Sequence, residues 1–157
     1  MEQPIAIQVR LHLERFEPLV SLQQWEQQLL EAGHQRAAAC SSFVGRVRGG
    51  QANASSASAV IALELEHYPG MTEAELQRIA ESVGKRHGAL ACLIEHRVGR
   101  IAVNDAIVCV AVLADRRGPA QRCCQELLEE LKHNAPFWKR EWSADGSSQW
   151  IEGNTPL

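Results

Sequence analysis

The chain has little that would suit it to a polyanion or to a membrane. Its formal net charge is −3, with 16 lysines and arginines against 19 acidic residues, whereas a general nucleic-acid binder presents a broad basic surface. Aromatic residues make up 5% of the 157 positions, with one tyrosine among them, so an RNA-stacking platform of alternating exposed rings is not expected. No apolar run approaches the ~20 residues that span a bilayer, and no signal-peptide pattern opens the sequence, so the expected compartment is the cytoplasm. The five cysteines (Cys40, Cys92, Cys109, Cys123 and Cys124) are odd in number and contain no CxxC. That argues against a disulfide framework or a zinc site and predicts reduced thiols in apolar surroundings. No internal repeat is present. What the chain does have is 45% hydrophobic residues, enough for a core and too many for a disordered chain. Its length fits one domain over residues 1–157.

Periodicity divides that domain. Ile5, Ile7, Val9, Leu11 and Leu13 alternate as in a half-buried strand. Ser21 with Gln24 reads as a capping box before a helix whose stripe is Leu22, Trp25, Leu29 and Leu30, with Gly33 as its stop. Ala37 to Val47 predicts a strand that ends in basic residues. The segment from Gly49 to Ser58, rich in Gly, Ala, Ser and Asn, reads as a flexible loop. Ile61, Leu63 and Leu65 mark another strand. Thr72 with Glu75 predicts the start of a helix that buries Leu76, Ile79, Ala80 and Val83 and stops before Gly88. Ala89 to Val98 and Ala106 to Leu113 read as strands around an Asn104-Asp105 turn. Pro119 fits the first turn of a third helix carrying Cys124, Leu127, Leu128 and Leu131. Trp142 and Trp150-Ile151 flank an Asp145-Gly146 turn, a closing hairpin. Helices and strands intermingle without strict alternation, which predicts an α+β fold on a mixed sheet.

The cations are bunched: Arg46 with Arg48, Arg116 with Arg117, then Lys132, Lys139 and Arg140. Local positive clusters in an acidic protein suit a small anionic ligand. In the run from Leu131 to Glu141, Pro136 predicts that the helix ends at Asn134, leaving Lys132 in its last turn and Lys139 in the next extended segment. Two amines from different elements then converge on one anion, over a corner that Phe137 and Trp138 bury. Upstream, Phe43-Val44-Gly45-Arg46-Val47-Arg48 closes a strand. Its glycine admits close backbone approach, and its arginines suit bidentate binding of a phosphate or carboxylate. Arg116-Arg117-Gly118-Pro119 precedes a helix, where free N–H groups also favour an anion. A solvated helix or strand end would explain any one of these windows. Their recurrence favours a site, either catalytic or, as the alternative, a non-catalytic pocket for a phosphorylated metabolite or a partner's acidic tail.

Taken in order, several windows resemble the large, catalytic subunit of molybdopterin synthase. They are Phe43-x-Gly45-x-Val47-Arg48, Leu65-Glu66-His67-Tyr68-Pro69-Gly70-Met71, His96-Arg97-Val98-Gly99, the Asp105 turn, Arg117, and Leu131-Lys132 through Pro136-Phe137-Trp138-Lys139-Arg140-Glu141. The resemblance implies an α/β hammerhead-like fold with a small β hairpin region, and an enzyme of molybdenum cofactor biosynthesis. It implies a homodimer at the centre of a heterotetramer, each protomer holding a small ubiquitin-like sulfur carrier. The carrier's C-terminal Gly-Gly thiocarboxylate would donate sulfur to cyclic pyranopterin monophosphate, making the dithiolene of molybdopterin in two transfers. No cofactor is implied, since molybdenum enters after the dithiolene forms.

Carried over by position, the resemblance makes Lys132 and Lys139 catalytic. It assigns substrate binding to Arg46, Val47, Arg48, Arg116, Arg117, Lys132, Lys139, Arg140 and Glu141, and a pocket for the carrier's tail to Phe43, Arg48, Lys132 and Lys139. One position departs: the family's usual His-Arg is Arg116-Arg117 here, a permanent cation where the family has a titratable ring. The Cys123-Cys124 pair falls on the helical stripe and is expected to pack rather than to carry a persulfide. His67 and His96 have no second ligand at regular spacing and are expected in structural hydrogen bonds, not in a metal site. Trp138, Trp142 and Trp150 are expected in a core or an interface.

Overall fold

The computed structural model describes residues 3–49 and 59–152. The loop expected at Gly49–Ser58 lies, apart from Gly49, outside the described residues. The elements follow in the order β1 (Ala6–His12), α1 (Pro18–Glu31), β2 (Ala39–Arg46), β3 (Val60–His67), α2 (Met71–His87), β4 (Ala91–Arg97), β5 (Gly99–Ala102), β6 (Ala106–Ala114), α3 (Arg117–Asn134), β7 (Phe137–Ser143) and β8 (Ser148–Ile151). The α+β expectation holds, but the strands divide into two four-stranded sheets, ordered β1-β4-β6-β2 and β5-β3-β7-β8. The first sheet is mixed, since β1 pairs with β4 in parallel and the other pairs are antiparallel. The second is antiparallel throughout.

Period-2 alternation along β4 and β6 explains how the first sheet is covered on both sides. Cys92, Ile94, Val108, Val110 and Val112 face α2 and α3, where they meet Leu76, Ile79, Val83, Cys123, Leu127 and Leu131. Ala91, Leu93, Ala111 and Leu113 face the other way and pack on Trp25 of α1. A further cluster of Val47, Leu65 and Ile101, with Leu63, Ile107 and Phe137 against it, joins one end of the first sheet to the inner face of the second. The candidate site is built at that junction.

Two helix starts differ from the sequence expectation. α1 begins one turn before Ser21, at Pro18, because proline's missing N–H costs nothing at the first helical position; the Ser21 N–H is already bonded to the Glu17 carbonyl at 3.0 Å. For α2 the cap is Gly70, at φ 83°, whose N–H donates to the Glu73 carboxylate. Thr72, expected to cap, is instead buried. Its hydroxyl accepts the Tyr68 N–H at 3.0 Å and donates to the Pro136 carbonyl at 3.5 Å. The short strand β5 has no counterpart in the sequence pattern, because its four residues open on Gly99 and run almost at once into the Asn104-Asp105 turn.

Cys123 and Cys124 are buried on α3 as expected, whereas Cys40 is exposed on the edge strand β2. Phe137 turns inward, but Trp138 does not help to bury the corner. It is 44% exposed and sits edge-on to Tyr68, 4.9 Å between ring centroids. Trp150 is also exposed, and Trp142 is half-buried. The three tryptophans therefore line the outer face of the second sheet rather than a core.

Candidate active site at the corner between α3 and β7

Proline decides the corner. It cannot supply the N–H for another helical turn and pushes the residue before it out of helical geometry. Ala135 accordingly adopts φ −71° and ψ 136°, and α3 stops at Asn134 with Lys132 in its final turn. The chain resumes as β7 at Phe137, which pairs with His67, and Lys139 comes to lie opposite Leu65. The bond from Thr72 to the Pro136 carbonyl ties the corner to the start of α2.

Alternation along β7 puts Phe137, Lys139 and Glu141 on the inner face. There Phe137 enters the apolar junction and stacks on the buried His96 ring, 4.3 Å between centroids and 24° between planes. The amine of Lys139 is pushed below its ordinary lysine value, first by burial and then by the nearby charge of Lys132. The Lys132 charge therefore reaches the Lys139 amine, and burial outweighs like-charge repulsion in setting the shift. His96 belongs to the same neighbourhood. Burial, with a smaller effect from the Lys139 charge, pushes its pKa down to about 4, against a partial offset from its bond to the Arg97 carbonyl.

The end of β2 reaches this corner as well. On α3, Cys124 lies against the Val110 carbonyl at 4.0 Å and against Ser41. Seven more helical residues advance about 10 Å, and four strand residues from Ser41 advance about 13 Å. Leu131 and Val108 do share one core cluster with Phe137, so the last turn of α3 overlies the Phe43–Arg46 end of β2. Gly45 is required there. A Cβ at that position would stand 2.8 Å from Val108 Cγ1 and 3.2 Å from the Phe43 ring. Phe43 itself stays 39% exposed, and Arg46 and Arg48 are exposed on either side of Val47.

Four of the expected site residues are placed elsewhere. Val47 is 5% exposed within the junction core. Its N–H donates to the Asp105 carbonyl at 3.0 Å, and its own carbonyl accepts the Asn104 N–H at 2.9 Å. Val47 therefore anchors its two arginine neighbours, with its N–H and its carbonyl both engaged by the Asn104-Asp105 turn. Arg140 is on the outer face of β7, its guanidinium 4.1 Å above the Trp150 ring and 5.7 Å from that of Trp142. Arg116 and Arg117 stand at the N-terminus of α3, about 22 Å along the helix from Lys132 at 1.5 Å per residue. Within one chain they cannot share a pocket with the lysines. Glu141 remains on the Lys139 side, opposite Leu63.

Fold and site together define an α+β protein with two lysines at the corner where the third helix gives way to a strand of the second sheet. The family described as MoaE protein matches residues 17–134. The molybdopterin synthase catalytic subunit of Ralstonia nicotianae is 41% identical over 123 residues, covering 78% of this chain and 67% of that one. The same subunit of Caulobacter vibrioides is 41% identical over 121 residues, covering 77% of this chain and 76% of that one. Among solved structures, the molybdopterin biosynthesis MoaE protein from Burkholderia ambifaria superposes with a TM-score of 0.73 at 35% identity, covering 96% of this chain and 92% of that one. A protein-protein complex of subunits 1 and 2 of molybdopterin-converting factor from Helicobacter pylori shares the fold, with a TM-score of 0.72 at 17% identity, covering 92% of this chain and 90% of that one. The chain belongs to the MoaE family of molybdopterin synthase catalytic subunits, and its role is that of the catalytic subunit in molybdenum cofactor biosynthesis. No helix among the described residues is long and apolar enough to cross a membrane.

Proposed function

We propose that this subunit converts cyclic pyranopterin monophosphate to molybdopterin, taking sulfur from the C-terminal thiocarboxylate of a small ubiquitin-like carrier, with Lys132 and Lys139 as its catalytic residues. The supporting observation is the partly desolvated Lys139 amine beside Lys132 at the α3–β7 corner. Donor and acceptor are both anionic, so their encounter needs positive charge. The Lys132 ammonium provides it at the end of α3. An amine whose charged form is penalised by burial loses its proton more readily, and once neutral it can take a proton or capture the acyl group left when sulfur departs. Phe43 and Arg48 border the entry for the extended tail, and Arg46 and Arg48 hold the phosphate. The Helicobacter pylori complex of two subunits is consistent with a carrier partner.

Residues 1–157 act as one domain in this proposal, and the working unit is a homodimer at the centre of a heterotetramer. Arg116 and Arg117, remote from the lysines in their own chain, enter the pocket from the second copy. The decisive assay mixes the purified chain with thiocarboxylated carrier and cyclic pyranopterin monophosphate and follows dithiolene product by mass spectrometry. Product is expected with the intact carrier and none with a carrier lacking its last two glycines. Sulfur transfer that survived the deletion would overturn tail insertion. For the shared site, an inactive Lys139→Ala protein and a weakened Arg117→Ala protein should recover activity once their chains exchange. Absence of recovery in verified mixed dimers would place the arginines outside the pocket.

A further inference from the structure

His96 enters neither role above, yet its surroundings are specific. It ends the run of β4 residues facing α2 and α3, pairs with Val108, and is 7% exposed. Its Nδ1 is 2.7 Å from the Arg97 carbonyl, 24° separates its plane from that of Phe137, and their centroids are 4.3 Å apart. A carbonyl only accepts, so Nδ1 carries the proton and the ring is held in one tautomer and one orientation. Phe137 is the first residue of β7, and Lys139 is the next residue on the same face. The stack therefore sets where β7 leaves the corner and how deep the Lys139 stem lies.

We propose that His96 is a positioning residue for Lys139, its flat neutral ring holding the start of β7 and keeping water from the amine. This rests on Lys139 taking part in the reaction, as proposed above. The physical logic is that of a dry wall. Burial is the first cause of the Lys139 shift, and an uncharged ring beside Lys139 maintains that burial without adding a second like charge. The ring stays uncharged because its own pKa is pushed down to about 4. The titratable groups that share the inner face with Lys139 are His67 of β3, which pairs with Phe137, and Glu141 of β7 itself, while Lys132 approaches from the last turn of α3. Of these, the Lys132 charge bears on the Lys139 amine.

The chain contains three lysines, Lys85, Lys132 and Lys139, so ¹³C-methylated amines can be assigned and titrated by NMR without substrate. In folded His96→Ala protein the Lys139 signal should titrate at higher pH than in the parent. The rising limb of the kcat–pH profile should move up with it, and kcat near neutrality should fall about ten-fold or more. KM and carrier binding should change little. His96→Phe keeps a stacked ring and should restore both the titration and the limb. Should His96→Ala fail to fold, His96→Leu keeps the bulk without the flat ring and is expected to behave as the Ala variant would. A folded Ala or Leu variant whose Lys139 titration is unmoved overturns the positioning role, as does a His96→Phe variant that titrates like it. Wild-type turnover in folded Lys139→Ala protein would instead remove the catalytic reading of that lysine, an outcome the substrate-free titration does not depend on.

Discussion

Lys139 and Arg140 are neighbours in sequence and both are cations, yet the two faces of β7 treat them in opposite ways. The inner face takes the residue whose charge can be removed and buries it beside a neutral imidazole and a second amine. The outer face takes the residue whose charge is permanent and lays it over the Trp142 and Trp150 indoles, where Arg100 also sits 4.8 Å above Trp142. Glu64 accepts the Trp142 Nε1–H at 2.6 Å and completes that array. Desolvation tunes a lysine, whereas a guanidinium keeps its proton in any such setting and is useful as a planar surface. In the proposed site, membership along this strand is thus a matter of odd against even positions. The run Lys139-Arg140-Glu141 is divided between two faces of the strand.

The strongest way to break that contrast is to truncate each cation in turn. Lys139→Ala and Lys132→Ala should leave fold and carrier binding intact and cut turnover by orders of magnitude. Arg140→Ala should keep turnover within about three-fold of the parent, with only a small loss of stability. Lys139→Arg retains charge but not the accessible neutral state, so it asks whether charge alone suffices; strong loss of kcat is expected. Turnover measured under single-turnover conditions checks all four. Equal losses from Arg140→Ala and Lys139→Ala would erase the distinction between faces.

The inner face also predicts a pH dependence of stability. His96 has a folded-state pKa of about 4, below its ordinary 6.5. Its neutral burial is fully favourable above 6.5, and that contribution is lost as the pH falls from 6.5 towards 4, because the unfolded chain binds the proton first. Urea denaturation across this interval should show the decline, and His96→Phe should flatten that part of it. A variant with an unchanged slope would mean that groups other than His96 carry the whole dependence in this interval.

A smaller effect belongs to the support beneath Phe43. Gly45→Ala forces a methyl to within 2.8 Å of Val108 Cγ1, and overpacking of that kind costs about 1–3 kcal/mol. Thermal or urea melts would measure it, and a second change, Val108→Ala, should return part of the loss by giving the new methyl its room. Smallest of all is the outer array. Trp142→Phe deletes the bond to Glu64 and should cost about 1 kcal/mol without moving turnover. If Trp142→Phe lowered turnover as Lys139→Ala does, the outer face would belong to the site after all.

Much of this was determined by the sequence alone, wherever the interaction that decides the matter is local. Pro136 ends α3 because proline excludes helical geometry immediately before it, so the corner between Lys132 and Lys139 is legible in the chain. Alternation marked β1, β3 and β6, and the stripe through Leu127 and Leu131 marked α3, because strand and helix periods impose themselves residue by residue. Other features depended on partners distant in sequence. Pairing of β3 with both β5 and β7 split the strands into two sheets, and no periodicity encodes which strand neighbours which. The same pairing sent Trp138 and Arg140 outward, placed Val47 in the core between Leu65 and Ile101, and set His96 under Phe137. The length of α3 put Arg116 and Arg117 at the far end from the lysines, although all four cations looked like one constellation in the sequence. The shift at Lys139 follows the same rule. Its amine is an ordinary lysine until packing from β3, β4 and α3 removes the water around it, and desolvation is a property of the assembled neighbourhood rather than of any residue in the chain.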